Sequence, residues 1–333
     1  MNTGNITVLG AGLACADIIK TDGLEAILPG GTAANVLSIL AKLGFSSTLF
    51  CANYFDELGA WLKDSLACHG VNIVNFTDCH SPTPRVIEIL DKEGNHSFQK
   101  TCPICGKNLL KVVLPNLTHL TPPILNVIER LNLFYYDRIS EGIKRIAYLN
   151  KRGWNFYEPN SCRFYQTFLN SAKYANIIKF AEDRVPKMYV DLLIDDLQKS
   201  DVQLIIVSSG ESGFRFSIRN ESKMLSNWFF VDAAKASSVI DSSGAGDWMT
   251  AVFLDSFLRK YPFYVDQLDH EEICIMLDRA KQVAAYSCGF LGAQGIFKDQ
   301  PAQRRMEEMF SLNLSITNSI PCAFNDGCQY CKI

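Results

Sequence analysis

The sequence predicts an α/β fold in three layers, a mostly parallel sheet covered by helices on both faces, with a small β flap projecting from it. Three observations carry this expectation. Short β-type runs alternate with amphipathic helices along most of the chain. The length, 333 residues of which 48% are hydrophobic, suits one large α/β domain with an appendage. The segment 79–99 reads as strand, turn and strand with no helix between, which sets it apart from the alternating pattern.

The elements follow in order. Residues 6–9 form a first strand. Gly30-Gly31-Thr32 opens a helix that runs to Leu43 and stops at Gly44. Residues 48–51 read as a strand. Residues 56–69 read as a helix, with Leu58, Trp61, Leu62 and Leu66 on one face and Gly70 at its end. In the flap, residues 86–90 are a strand, and Lys92-Glu93-Gly94-Asn95 turns the chain into a second at 96–99. Beyond it, strands are expected at 133–136, 155–157, 176–180 and 204–207. Helices are expected at 141–151, 182–198, 247–260, 271–287 and 302–310.

Charge narrows the partners. With 32 basic and 35 acidic residues the net charge is −3, which argues against nucleic acid or an anionic membrane surface and for a small molecule. Residues 1–10 carry no basic region followed by a long apolar run, so a cytoplasmic setting is the default expectation.

The chemistry concentrates at Asp241-Ser242-Ser243-Gly244-Ala245-Gly246-Asp247, followed by an almost entirely apolar helix. Gly244, Ala245 and Gly246 are small enough to let backbone N–H groups converge on one concavity. The N-terminus of the helix adds partial positive charge at the same place. Together they suit a phosphoryl group whose charge must be stabilised during transfer. Asp247, in the first turn, is placed to accept the proton of an attacking hydroxyl. The plainer reading of these residues is a glycine-rich turn capping a helix.

Asp241 to Asp247, DSSGAGD, closely resembles the C-terminal signature of the ribokinase (PfkB-type) carbohydrate kinases, D-T-x-G-A-G-D. Pro29-Gly30-Gly31-Thr32-Ala33-Ala34-Asn35 with Leu43-Gly44 resembles the N-terminal signature of the same family. Asp56-x-x-Gly59, Ser208-x-Gly210-Glu211-x-Gly213 and Gly292-Ala293 fit it in order, so the resemblance spans roughly residues 6–300. It implies a ribokinase-like α/β/α sandwich over residues 1–315, a β lid drawn from 12–30 and 79–100, and a separate tail at 316–333. It further implies ATP and Mg²⁺ as cofactors, with a monovalent cation as an option, and a sugar or sugar-acid as substrate. By matching, Asp247 is the base and Gly244, Ala245 and Gly246 the anion hole. Asp17, Gly30, Gly31 and Asn35 bind substrate hydroxyls, and Ser208, Gly210, Gly213 and Asp241 contact the nucleotide.

Two departures stand out. The family's N-x-x-E stretch is here Lys179-Phe180-Ala181-Glu182-Asp183-Arg184, leaving Glu182 or Asp183 as the substitute near Mg²⁺. The lid segment between Asp17 and Gly30 is short, which suits a larger substrate or a lid completed by a second subunit, hence a homodimer.

The chain has 12 cysteines. Cys15, Cys51, Cys68, Cys274 and Cys288 lie in apolar surroundings and read as small core residues. Cys102-Pro103-Ile104-Cys105 and Cys328-Gln329-Tyr330-Cys331 are paired CxxC units, a pattern that gives Zn²⁺ four thiolates in a structural site. Four free thiols are the alternative. The five histidines (His69, His80, His96, His119, His270) show no metal-ligand spacing and read as surface or turn residues. Glu158 and Asn160, at the end of a strand, point either toward the site's edge or into a plain turn. Gly10-Ala11-Gly12 resembles a dinucleotide turn but has Cys15 where a third glycine belongs.

Three alternatives to a sugar kinase stay open on the sequence. One is a nucleoside kinase of the same fold. Another is a catalytically silent sensor or assembly subunit, and the third is a zinc module for nucleic acid, which the charge disfavours.

Overall fold

The computed structural model describes residues 6–21, 24–92, 96–159, 165–198, 200–219 and 225–315. In chain order the strands and helices are β1 (Thr7–Ala11), β2 (Cys15–Thr21), β3 (Leu24–Gly30), α1 (Thr32–Lys42), β4 (Ser46–Tyr54), α2 (Glu57–Cys68), β5 (Asn72–Cys79), β6 (Arg85–Leu90), β7 (His96–Gln99), α3 (Pro122–Ile128), β8 (Leu133–Tyr136), α4 (Glu141–Leu149), β9 (Trp154–Tyr157), α5 (Tyr165–Ala172), β10 (Ile177–Ala181), α6 (Lys187–Leu197), β11 (Leu204–Ser208), β12 (Phe214–Ile218), β13 (Phe229–Val231), α7 (Ala245–Lys260), α8 (His270–Ser287) and α9 (Gln300–Phe310).

They build two sheets. The larger has nine strands in the order β13-β12-β11-β10-β9-β8-β1-β4-β5. From β11 to β5 every neighbouring pair is parallel, while β12 and β13 add an antiparallel edge. The α/β expectation is met, and the two-residue period of a strand shows why helices cover both faces. In β8, Leu133 and Tyr135 join the layer that holds α1, α2, α7 and α8. Phe134 and Tyr136 join the opposite layer, with Ile124 of α3, Ile143 of α4, Phe168 of α5 and Leu193 of α6. All four β8 residues are fully buried.

Helix α7 is buried almost all round, with Trp248, Phe253 and Phe257 fully enclosed. That explains its lack of a polar face. Each such aromatic contributes about 2–3 kcal/mol through burial. The expected helix at 182–198 is divided instead. Residues 182–184 make a single 3₁₀ turn and α6 begins after Pro186. A proline has no N–H to give and clashes with the preceding turn, so a helix starts at it more readily than it passes through.

The smaller sheet runs β3-β2-β6-β7 and lies over the C-terminal ends of the parallel strands β1, β4 and β8. Its strands β2 and β3 were not evident from the sequence, because both of their faces are covered and no polar alternation marks them. On one face Ile18 and Ile87 pack under Cys102 and Leu109. On the other, Ile19, Leu28 and Leu90 pack against Leu291 of the loop after α8. Gly292 makes that approach possible: its φ is +59°, and a Cβ there would meet Leu28 at 2.9 Å. The root of the lid is braced by Asp56, the N-cap of α2. Its carboxylate accepts from the N–H groups of Gly59 and Thr83, each at 2.7 Å, and lies 3.6 Å from the Arg85 guanidinium.

Cys102 is buried and Cys105 exposed. The N–H of Gly106 donates to the Cys102 carbonyl and closes a tight knuckle. Cys328 and Cys331, and the tail 316–333 that carries them, lie outside the described residues, as does Asn160.

Candidate active site

The catalytic candidates meet where the loop 241–244 turns into α7. Gly244, the N-cap, has a φ of +80°, and a Cβ there would sit 2.4 Å from Ala293. Only glycine fits both the left-handed backbone and that contact. The first intrahelical bond runs from the Trp248 N–H to the Gly244 carbonyl. The N–H groups of Gly246 and Asp247 therefore have no partner within the helix and face outward at its positive end.

Asp247 is held rather than free. The Asn35 side chain, from the first turns of α1, donates to Asp247 Oδ2 at 2.7 Å. Gln294 in turn donates to Asn35 Oδ1 at 2.8 Å. Asn35, read from the sequence as a substrate contact, is buried and links Gln294 to Asp247. Burial pushes the Asp247 carboxyl up to about 8, and the nearby Glu158 charge pushes the same way. The Asn35 bond and the Lys179 charge oppose that shift.

Behind Asp247 lies a closed polar group. Glu158, at the end of β9, accepts from Lys179 Nζ at 2.5 Å, from the Tyr135 hydroxyl at 2.9 Å and from Thr250 Oγ1 at 2.9 Å. Lys179 also donates to the Gly246 carbonyl at 3.3 Å, which ties the ion pair to the first turn of α7. Of the two readings of Glu158, the inward one holds. Lys179, Tyr135 and Thr250 were not singled out from the sequence. A lysine inside an apolar strand, Ile177-Ile178-Lys179-Phe180, was the available signal.

Facing Asp247 from the lid is Asp17 on β2. It passes over Gly30, where a Cβ would lie 1.8 Å from its carboxylate. Burial raises its carboxyl to about 7, and the Asp241 charge adds to this. The Cys15 thiol, donating to Asp17 Oδ1 at 3.2 Å, works against the rise. Gly31, with φ +92°, turns the chain from the lid into α1. Thus Asp17, Gly30, Gly31, Asn35 and the 244–247 turn converge on one place, the mouth of the C-terminal end of the sheet.

The expected nucleotide contacts are arranged differently. Ser208 ends β11, and Gly210 and Gly213 shape the turn into β12 with φ of +53° and +89°. Asp241 is buried, and its carboxylate accepts from the N–H groups of Ser243 at 2.8 Å and Gly292 at 2.7 Å. It braces two loops and faces the lid. Glu182 is held by Arg215 at 2.9 Å and by Ser209 at 2.6 Å. Asp183 lies 3.3 Å from Arg184. Each carboxylate of that 3₁₀ turn thus has a partner of its own.

Residues 149–299 match the family model described as pfkB family carbohydrate kinase. That stretch holds Glu158, Lys179, the 208–213 turn and the 241–247 loop. Over that stretch the chain is similar to the PfkB-type carbohydrate kinases, phosphotransferases acting on an alcohol group, and its fold is ribokinase-like. Among curated proteins, the chain is similar to "Fructosamine kinase FrlD" of Bacillus subtilis (strain 168), 22% identical over 271 residues that cover 81% of this chain and 87% of the relative. Among solved structures it resembles fructokinase with bound ATP from Xylella fastidiosa, at 19% identity and a TM-score of 0.71, covering 92% of this chain and 99% of that one. It also resembles ribokinase from Giardia lamblia, at 15% identity and a TM-score of 0.70, covering 92% and 100%. No helix among the described residues is long and apolar enough to cross a membrane.

Proposed function

We propose that this chain transfers the terminal phosphoryl group of ATP to a hydroxyl of a small sugar or sugar derivative, with Asp247 as the base. One observation carries the reading. A buried carboxyl pushed up to about 8 sits in the first turn of a helix whose N–H groups are open, opposite a second carboxyl on the lid. A base with that proton affinity takes a hydroxyl proton far more readily than an ordinary aspartate.

The residues divide the work. Asp17, across the cleft, accepts hydrogen bonds from substrate hydroxyls and orients the ring. As the substrate oxygen bonds to phosphorus and the bond to the departing diphosphate breaks, its proton passes to Asp247 Oδ1 or Oδ2. The open N–H groups of Gly246 and Asp247 stabilise the charge on the phosphoryl oxygens. Asn35 and Gln294 hold the Asp247 carboxylate in place, and the Glu158–Lys179 pair holds the turn beneath it. ATP supplies the phosphoryl group and Mg²⁺ neutralises its phosphates. The open helix terminus fits the phosphates. Glu182 is engaged by Arg215 and Ser209, so Mg²⁺ brought with ATP would take phosphate and water oxygens in its place.

The test is Mg²⁺/ATP-dependent ADP release across sugars, glycated amines, sugar acids and nucleosides, with Asp247→Asn alongside. A substrate-dependent signal that the variant loses is the expected result. A nucleoside as best substrate would move the chain to the nucleoside branch. Silence from folded protein that binds ATP would make it a sensor.

A further inference from the structure

On the lid side of the 241–244 loop, three side chains from separate elements meet. Glu88 of β6, His96 of β7 and Asp241 each offer a ligand atom, all within 4.8 Å of one another. Strand register brings the first two together. Glu88 pairs with Phe98, and His96 pairs with Leu90, so both side chains leave the same face of the sheet. Asp17, two residues before the Ile19 that pairs with Glu88 across β2 and β6, shares that face.

Glu88 is the unusual member. It is wholly buried, and neither carboxylate oxygen has a hydrogen bond of ordinary geometry; only the Ser243 hydroxyl and the Asp241 carboxyl lie near enough to interact. A buried, unpartnered carboxylate costs several kcal/mol unless it is neutralised or bound. Protonation alone leaves this poorly resolved. A proton shared with Asp241 would serve one oxygen of Glu88, leaving the other to the Ser243 hydroxyl outside ordinary hydrogen-bond geometry and the His96 ring unused beyond its 3.0 Å contact with Ser242. A cation serves all three residues at once. Each Asp241 oxygen already accepts one N–H and keeps a second lone pair for it.

We infer that Glu88, His96 and Asp241 form a binding site for a divalent first-row cation that pins the lid to the catalytic loop. Two carboxylates and a neutral imidazole balance a charge of +2, and the mixed oxygen and nitrogen set suits Mn²⁺ or its neighbours rather than a thiolate-seeking ion. Bonds of about 2.1–2.2 Å place adjacent donors roughly 3.0–3.5 Å apart, so from separations of up to 4.8 Å a closure on the order of 1–2 Å completes the set. His96, half-buried at the sheet edge, can supply that movement. The position gives the ion its consequence. Asp241 is six residues before Asp247, and its carboxylate also holds the Gly292 loop on which the lid rests. That consequence for catalysis rests on the kinase reading. The site itself does not.

The experiment is Mn²⁺ binding to the full chain without nucleotide or substrate, followed by the loss of the free-ion signal in electron paramagnetic resonance. Mn²⁺ binds thiolates poorly, so the cysteines do not compete, and the absence of ATP removes phosphate-bound metal. The expected result is about one Mn²⁺ per chain, with affinity falling more than about tenfold in Glu88→Gln and in His96→Asn. Asp247→Asn should bind Mn²⁺ as the natural chain does, so the outcome is independent of whether Asp247 is a base. Glu88→Gln keeps the shape of the buried side chain and His96→Asn alters a half-buried one. If one fails to fold, the other decides. No uptake by the natural chain, or unchanged affinity in a folded variant, overturns the site.

Discussion

Two buried glutamates flank the catalytic turn, and the protein treats them in opposite ways. On the sheet side, Glu158 has donors on both carboxylate oxygens: Lys179 on one, Tyr135 and Thr250 on the other. On the lid side, Glu88 is equally buried and has no donor within ordinary hydrogen-bond geometry. Burial raises the Glu88 carboxyl to about 8, and the charges of Asp241 and Asp17 add to this. The sheet side is a finished structural element whose charge is cancelled from within the chain. The lid side keeps its carboxyl neutral by holding a proton, which a bound cation would displace. A closed network makes a rigid floor for Asp247, whereas an open one makes a lid whose seating can depend on a ligand.

Asp247 lies between the two sides and feels Glu158 from one and Asp17 from the other, so its removal has the largest expected effect. Asp247→Asn keeps the shape and loses the proton acceptor. Turnover should fall about 10³-fold, within the range of general-base loss, while ATP affinity measured by calorimetry stays close to that of the natural chain. Undiminished turnover would remove Asp247 as the base.

The next effect breaks the sheet side. Lys179→Met leaves Glu158 buried without its cation, which should cost about 3–5 kcal/mol in urea unfolding. Adding Glu158→Gln should recover much of that loss, because the uncompensated charge disappears with it. If the double variant is no more stable than Lys179→Met alone, Lys179 contributes by packing and the contrast between the two glutamates weakens.

The same contrast explains what was legible in the sequence. The 241–247 turn, the Gly30-Gly31 turn and the strands at β8 and β11 were readable because each depends on local chemistry: a left-handed glycine, a helix terminus, a run of apolar residues. Asp247 stood out for the same reason, whereas Asp17 was reached only through the family resemblance. Lys179 and Glu158 are 21 residues apart, and Glu88 and Asp241 more than a hundred and fifty, so each pairing exists only through sheet order and lid closure. His96 illustrates the point. Read alone it is a turn histidine beside Lys92-Glu93-Gly94-Asn95, and only the β6–β7 register places it inside the lid. The break before α6 has its own local signal, Pro186, inside the stretch expected as one helix.

The pH dependence sharpens the comparison further. With its carboxyl raised to about 8, Asp247 is largely protonated at neutral pH, and a base must be ionised. Activity should therefore rise with pH and level off above about 8. Glu158→Gln removes a like charge and should move that rise to lower pH.

Asn35→Ala gives the finest distinction, with the smallest expected effect. Asn35 donates to the ionised Asp247 carboxylate and so lowers its proton affinity. Without it the rise in kcat/KM should move upward by roughly one pH unit, equivalent to about 1.4 kcal/mol, while the plateau at high pH changes little. A residue that mainly binds the sugar would behave otherwise, raising KM at every pH and leaving the profile in place. The Gln294–Asn35–Asp247 chain favours the first outcome, because the amide's oxygen and one of its N–H bonds are already committed before any sugar arrives.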